Sequence, residues 1–128
     1  MNKLVIDVTN EKIFLMIITK DDIYNITKEN TKINYEKLTL ILKDFLKSNS
    51  LKLQDIQKIY VNRGPGSFAG IRNSLSIVKA INVARKIDYY SYSLKDFKDQ
   101  KDVKYEDIPN LCDKFKIKKN LIKPIYLS

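Results

Sequence analysis

The first third of the chain alternates short apolar runs with polar segments. Three runs rich in β-branched and aromatic residues, at 4–8, 13–18 and 23–27, are separated by turn-forming residues, a pattern that is typical of strands. Between residues 34 and 50, apolar residues recur at helical spacing. The pattern predicts a three-stranded meander with one helix packed on it.

The second half continues with strands and helices in alternation. Residues 58–62 predict a fourth strand, 67–87 a long helix and 89–92 a fifth strand, and a short helical turn follows at 93–97. This order of elements is that of an α/β fold built on one sheet.

A loop between the fourth strand and the long helix concentrates the rarest residues. All three glycines and two of the three arginines lie within 62–72. Glycine allows positive φ and a close approach of backbone or ligand, and Ser67 is suited to cap the helix, whose first turn offers N–H groups to an anion. The candidate loop and anion contacts are Arg63, Gly64, Gly66, Ser67, Gly70 and Arg72.

Other interpretations of this loop stay open. Its glycine spacing fits neither a Walker phosphate loop nor a dinucleotide fingerprint, because Gly70 is followed by Ile71 and three residues separate Gly66 from Gly70. A tight strand-to-helix connection requires the same residues. Arg63 and Arg72 would either fix the loop by bonding carbonyls or carboxylates, or reach phosphate at an interface.

The long helix has two apolar aspects. One stripe at helical spacing suits the sheet, and a second, with small residues that allow close approach, suits a helix of a partner protein; burial of both within one chain is the alternative. The candidate partner-interface residues are Ser67, Phe68, Ile71, Ser74, Leu75, Ile77, Val78, Ala80, Ile81 and Ala84.

Composition narrows the classes of function. The 128 residues should form one domain, the single cysteine excludes an intramolecular disulfide, and the lack of histidine removes the commonest metal ligand, so no metal site is predicted. A net charge of +9 is typical of proteins that bind nucleic acid. However, the lysines are spread along the chain apart from Lys114, Lys116, Lys118 and Lys119, which favours a solvated surface.

No apolar run approaches the length of a membrane span, so we expect a cytoplasmic protein.

Three segments resemble one protein family. Arg63 to Arg72 resembles the R-G-P-G-S-[FY]-[TA]-G-[LIV]-R signature of the TsaB (YeaZ) family of tRNA threonylcarbamoyladenosine biosynthesis proteins. Leu4 to Thr9 resembles the family's opening L-x-I-D-T-[AS], and 123–127 its closing P-x-Y-L. The resemblance implies an actin-like (ASKHA, ribonuclease H-like) lobe with a mixed five-stranded sheet and flanking helices.

The chain departs from the family pattern after the fifth strand. Family members usually continue into a second lobe, whereas here a charged connector at 98–104 leads directly to apolar residues with the spacing of one helix face. We therefore expect residues 1–128 to form a single lobe, with a C-terminal helix over 105–118 packing back on it.

The resemblance also implies a function. TsaB proteins pair with themselves or with TsaD through the helix equivalent to 67–87, so the chain would be a non-catalytic partner subunit that binds and activates a TsaD-like transferase in tRNA N6-threonylcarbamoyladenosine synthesis. A TsaE-like ATPase would be a further partner. The resemblance implies indirect contact with tRNA, no membrane partner, and ATP or ADP only at the interface. The metal-binding H-x-x-x-H of TsaD is absent from this histidine-free sequence, so an inherited glycoprotease label lacks chemical support.

Asp7 carries the main alternative. It stands where active relatives position magnesium and phosphate, which makes it a vestigial phosphate-loop position; alternatively, it caps the turn after the first strand. A nucleotide-binding ATPase or transferase lobe would use Asp7 with the amides of Gly64 to Gly70, and a direct tRNA-binding protein would use the lysines. On the partner-subunit hypothesis, Asp7→Asn should matter little.

Overall fold

One mixed sheet of five strands organises the computed structural model, which describes residues 1–98 and 100–125. The strands are β1 (Lys3–Asp7), β2 (Lys12–Ile18), β3 (Ile23–Glu29), β4 (Lys58–Asn62) and β5 (Asp88–Tyr92). They lie in the order β3-β2-β1-β4-β5, and β1 pairs antiparallel with β2 and parallel with β4. The predicted mixed five-stranded sheet is confirmed.

Within the described residues, the helices that accompany the sheet are α1 (Lys32–Glu36), α2 (Leu38–Ser48), α3 (Phe68–Arg85) and α4 (Ile108–Lys114). The single helix predicted between 34 and 50 is divided in two at Lys37, where φ is −100°. The helix predicted over 105–118 is a 3-10 turn at Tyr105–Asp107 followed by α4, and it ends earlier because Lys116 takes a positive φ. None of these helices is long and apolar enough to cross a membrane.

The sheet is covered on both faces. On one face, α2 and α3 pack over side chains of the central strands, such as Leu4, Ile6 and Ile59. On the other face, Val5 and Tyr60 belong to a second core that includes Phe97, Ile108 and Cys112. Because β1 and β4 are buried on both faces, they read in the sequence as continuous apolar runs rather than as alternating ones.

The segment after β5 provides the second cover. A 3-10 turn at Leu94–Phe97 and α4 supply its buried side chains, and Tyr105 of the turn at Tyr105–Asp107 packs against them. The chain then returns along the free edge of β5. There the Asn120 backbone N–H donates to the Tyr89 carbonyl at 2.7 Å, and the Asn120 side chain accepts from the Tyr89 N–H at 3.0 Å. The tail therefore satisfies an edge that would otherwise be open to pairing with another chain.

Candidate functional site

The glycine loop joins β4 to α3 by a close passage over neighbouring backbone. Gly64 has a φ of +115°, and a Cβ there would overlap the carbonyl oxygen of Ile125; a Cβ at Gly66 would overlap that of Thr9. These contacts are with the chain itself, as expected for a tight strand-to-helix connection.

Several loop amides predicted to contact an anion are bonded within the chain. The Gly64 N–H donates to Asn62 Oδ1 at 2.9 Å, the Ser67 N–H to the Thr9 carbonyl at 3.0 Å, and the Gly70 N–H to Ser67 Oγ at 3.3 Å. Ser67 is thus the N-cap of α3, as predicted. An anion at this loop would have to displace these bonds.

Arg63 fixes the loop to the C-terminal segment. Its guanidinium donates to the Lys123 carbonyl at 2.9 Å and to Asp96 Oδ1 at 2.8 Å, and its backbone carbonyl accepts from the Ile125 N–H at 2.7 Å. This is the loop-fixing role among the two considered for the arginines. Arg72 lies exposed on α3 and forms no ion pair within 1–98 and 100–125.

The Asp7 carboxylate is buried and surrounded by donors. Only 3% of the residue is exposed. Oδ1 accepts from the Thr9 N–H at 2.9 Å and the Thr9 hydroxyl at 2.6 Å, which is the turn-capping role. Oδ2 accepts from Asn62 Nδ2 at 3.0 Å and from the Tyr105 hydroxyl at 2.8 Å. Four hydrogen bonds therefore satisfy the carboxylate without a metal.

Tyr105 was not predicted from the sequence to be a site residue, nor were Thr9 and Asn62. The Tyr105 ring stacks on Phe14 with centroids 3.9 Å apart, and its hydroxyl reaches Asp7 across 98 residues of sequence. Burial, with the Asp7 charge beside it, raises the pKa of the Tyr105 hydroxyl, so it remains a protonated donor. No local pattern signals this contact, because it depends on how the C-terminal segment crosses the sheet.

A cavity of about 370 Å³ lies beside this cluster, lined by Asp7, Asn62 and Tyr105 together with Tyr92, Ser93 and Lys95. Among the residues that the structure describes, Asp7 is the single carboxylate on its wall. Across the part of the chain that the structure describes, no three His, Cys, Asp or Glu side chains are placed to hold a metal ion. One carboxylate saturated by donors is a poor magnesium ligand set.

We expect Asp7→Asn to lower the free energy of unfolding by about 1–3 kcal/mol, because an amide would face the donors of Asn62 and Tyr105. Asn62 cannot rotate its amide to compensate without losing the Oδ1 bond to Gly64. Urea unfolding would measure the change, with Tyr105→Phe as the milder variant at about 1 kcal/mol. Unchanged stability of Asp7→Asn would contradict this network. The expectation that Asp7→Asn matters little for binding a partner stays a prediction, and it is separate from this effect on stability.

The predicted interface residues divide into two groups. Four of them lie buried against the sheet and are unable to contact a partner, because they occupy the stripe of α3 that faces β1, β4 and β5; they are Ile71, Ser74, Leu75 and Val78. Their assignment to the interface is corrected on this ground. The other six retain partly or fully exposed positions, and they are Ser67, Phe68, Ile77, Ala80, Ile81 and Ala84.

An apolar groove runs between α2 and α3. Its floor is formed by Ile77, Ile81 and Ala84 of α3 with Leu42 and Leu46 of α2, and its volume is about 240 Å³. We call these two helices, with the groove between them, the α2–α3 face. Apolar side chains that do not line this groove are also exposed on the two helices, with 50% of Phe68, 67% of Val83 and 55% of Leu40 accessible. The contribution of α2 to this groove was not predicted from the sequence. Its three consecutive apolar residues at 40–42 were a signal, because consecutive residues of a helix point to different sides and cannot all face the sheet.

Comparison with known proteins supports one family. The sequence model of the protein family described as tRNA N6-adenosine threonylcarbamoyltransferase (TsaD) matches residues 29–93, which is half of the chain. The chain is 27% identical over 90 residues to the tRNA threonylcarbamoyladenosine biosynthesis protein TsaB of Buchnera aphidicola subsp. Schizaphis graminum, covering 70% of this chain and 43% of that protein. It is 29% identical over 75 residues to TsaB of Buchnera aphidicola subsp. Baizongia pistaciae, covering 59% and 34%.

Solved structures agree on the fold. YeaZ from Pseudomonas aeruginosa superposes with a TM-score of 0.66 at 20% identity, over 72% of this chain and 43% of that one. The chain spans less than half the length of the curated relatives it matches. Of the 123–127 segment that resembles the family's closing motif, residues 126 and 127 lie outside the described residues. The loop segment and β1 are fully described. The chain therefore belongs to the threonylcarbamoyltransferase (TsaD) family whose model matches half of it, and the relatives named TsaB support the resemblance to TsaB (YeaZ) carried by its three sequence segments.

Proposed function

We propose that this chain is a non-catalytic partner subunit in the biosynthesis of threonylcarbamoyladenosine in tRNA. It would bind a TsaD-like transferase and activate it. The observation that carries the proposal is the α2–α3 face, an apolar groove between two helices that also expose other apolar side chains. Such a surface on a small α/β lobe is typical of a protein–protein interface.

The Asp7 site supports a non-catalytic role. A general acid or base needs a free titratable group at the reacting atoms, whereas Asp7 is enclosed by four donors of the chain. Transfer chemistry and metal binding would accordingly belong to the TsaD-like partner. ATP or ADP would bind where the two proteins meet, and a TsaE-like ATPase would join the assembled pair.

The C-terminal segment suggests how a single lobe can suffice. Residues 94–98 and 100–125 cover the second sheet face and the β5 edge, and Phe97 and Ile108 are among the side chains that they bury. We propose that the connector at 98–104 stands in place of the second lobe of longer relatives, so that 1–128 act as one domain. The α2–α3 face, on the opposite side of the sheet, would be unaffected by that replacement.

Co-purification with the TsaD-like protein of the same organism tests this function. We expect a 1:1 complex by size-exclusion chromatography with light scattering, with and without ATP, and stimulated threonylcarbamoyl transfer to tRNA when the complex forms. Stable self-pairing with no complex under either condition would contradict the proposal. A 1:1 complex that lacks any effect on transfer would support binding but contradict activation.

A further inference from the structure

The tail after α4 is basic and held in place. From Lys114 to Ile125 the sequence contains five lysines and no acidic residue. The tail leaves α4 through Lys116 at a φ of 54°, where the Ile117 N–H donates to the Cys112 carbonyl at 2.9 Å. Bonds from Asn120 to β5 and from Ile125 to Arg63 then fix its course. Its charges are therefore presented from an ordered backbone.

The fold gathers several of these lysines around one groove. Arg63, Lys116, Lys118 and Lys123 line a cavity of about 170 Å³ beside β5, with the Ser91 side chain in its wall. We call this the basic groove. The sequence favoured a solvated surface, with the lysines at 114–119 as the exception. The fold places two of these, Lys116 and Lys118, around one groove with Lys123 and Arg63.

The charge of the basic groove is largely uncompensated. Asp96 is the carboxylate in its wall, and it pairs with Arg63 at 2.8 Å. Lys119 lies outside the groove and 3.6 Å from Asp88. Within residues 1–98 and 100–125, no carboxylate forms an ion pair with Lys116, Lys118 or Lys123. Three lysine charges thus remain available to an anionic ligand.

We propose that the basic groove binds RNA through its phosphodiester backbone. Several lysine ammonium groups around one groove provide point charges without base-reading geometry, which suits the phosphates of a polyanion rather than one planar carboxylate. The choice of RNA over other polyanions rests on the proposed function, in which the partner acts on tRNA. The groove shares no lining residue with the cavity of the α2–α3 face, so a partner and RNA can be held together.

A pair of charge-matched variants tests the proposal. One carries Lys116→Gln, Lys118→Gln and Lys123→Gln in the groove. The other carries Lys20→Gln, Lys28→Gln and Lys47→Gln at exposed positions that do not line the groove. Each variant lowers the net charge of the chain by three units. Thermal unfolding is used to check that each variant is folded. Binding of a fluorescein-labelled RNA stem-loop to the full chain is then measured by anisotropy over a salt series, with total tRNA as competitor.

We expect the wild-type chain to bind the stem-loop with a steep salt dependence. The groove variant should bind about tenfold more weakly or worse, and the slope of log K against log salt should fall by roughly 2 to 3, about one for each phosphate contact removed. The matched variant should keep most of the affinity and slope.

Several outcomes would overturn the inference. These are equal weakening in both variants, no wild-type binding at about 50 mM salt, or binding to phosphatidylcholine–phosphatidylserine vesicles without binding to RNA. Ala80→Glu should bind RNA like the wild type, because Ala80 lies on the α2–α3 face. Failure to bind a TsaD-like partner and failure to bind RNA are therefore distinguished by separate measurements.

Discussion

Ala80→Glu is expected to abolish the complex with a TsaD-like partner while leaving the free chain folded. Ala80 is exposed and lines the apolar groove with Ile77, Ile81 and Ala84. In the free protein a glutamate there stays hydrated, so stability should change by no more than about 0.5 kcal/mol. In the complex its charge would be buried without a partner, which costs about 3–5 kcal/mol and weakens binding by a factor of about 100 or more.

Lys79→Gln is the matched control for this variant. Like Ala80→Glu, it lowers the net charge of the chain by one unit, and it does so at the neighbouring position of α3. Lys79, however, does not line the groove. Light scattering of the mixed proteins should show the 1:1 complex for Lys79→Gln and separate species for Ala80→Glu. If both variants bind alike, the partner contacts another surface. If Ala80→Glu unfolds, the replacement Ala80→Lys repeats the test with the opposite charge.

Gly70→Ala is expected to lower the free energy of unfolding by about 2–4 kcal/mol, since overpacking combines with displacement of fixed backbone. In an ordinary helix the same change would stabilise the protein by up to about 1 kcal/mol. Here the added Cβ would overlap the Val8 carbonyl oxygen and lie 2.9 Å from Val8 Cγ1. Val8, which follows β1, is fully buried, and the N-terminus of α3 is fixed by its cap at Ser67. Neither the Val8 backbone nor the first turn of α3 can therefore move easily to relieve the overlap.

Urea unfolding compares this variant with Ser76→Ala, which lies exposed on the same helix. The control should be neutral or slightly stabilising, because alanine has the higher helix propensity. A Gly70→Ala protein as stable as the wild type would show that α3 does not pass this close to Val8.

The sheet could be predicted from the sequence because burial on its faces leaves a direct pattern. The apolar runs of β1 and β4 and the two apolar aspects of α3 all report the environment of their own residues. The break at Lys37 and the early end of α4 left no such pattern. Both depend on how neighbouring elements meet, and helix boundaries are the features that local spacing determines least.

The candidate site was only partly predictable for the same reason. The loop signature identifies the glycines and Ser67, and the turn-capping role of Asp7 follows from its position. The bonds from Arg63 to Asp96 and Lys123, and from Tyr105 to Asp7, join segments far apart in sequence. Such contacts are set by the path of the C-terminal segment across the sheet, and that path is not encoded in any short stretch.

We expect the C-terminal cover to form late in folding. Its contacts span long stretches of sequence, since Tyr105 reaches Asp7 over 98 residues and Asn120 reaches Tyr89 over 31. Closing such long loops costs entropy before any contact is gained, so these contacts belong to slow, late steps. Until they form, the aromatic face around Tyr60 and the edge of β5 stay open to other chains. The last quarter of the sequence thus completes the protein's protection against aggregation.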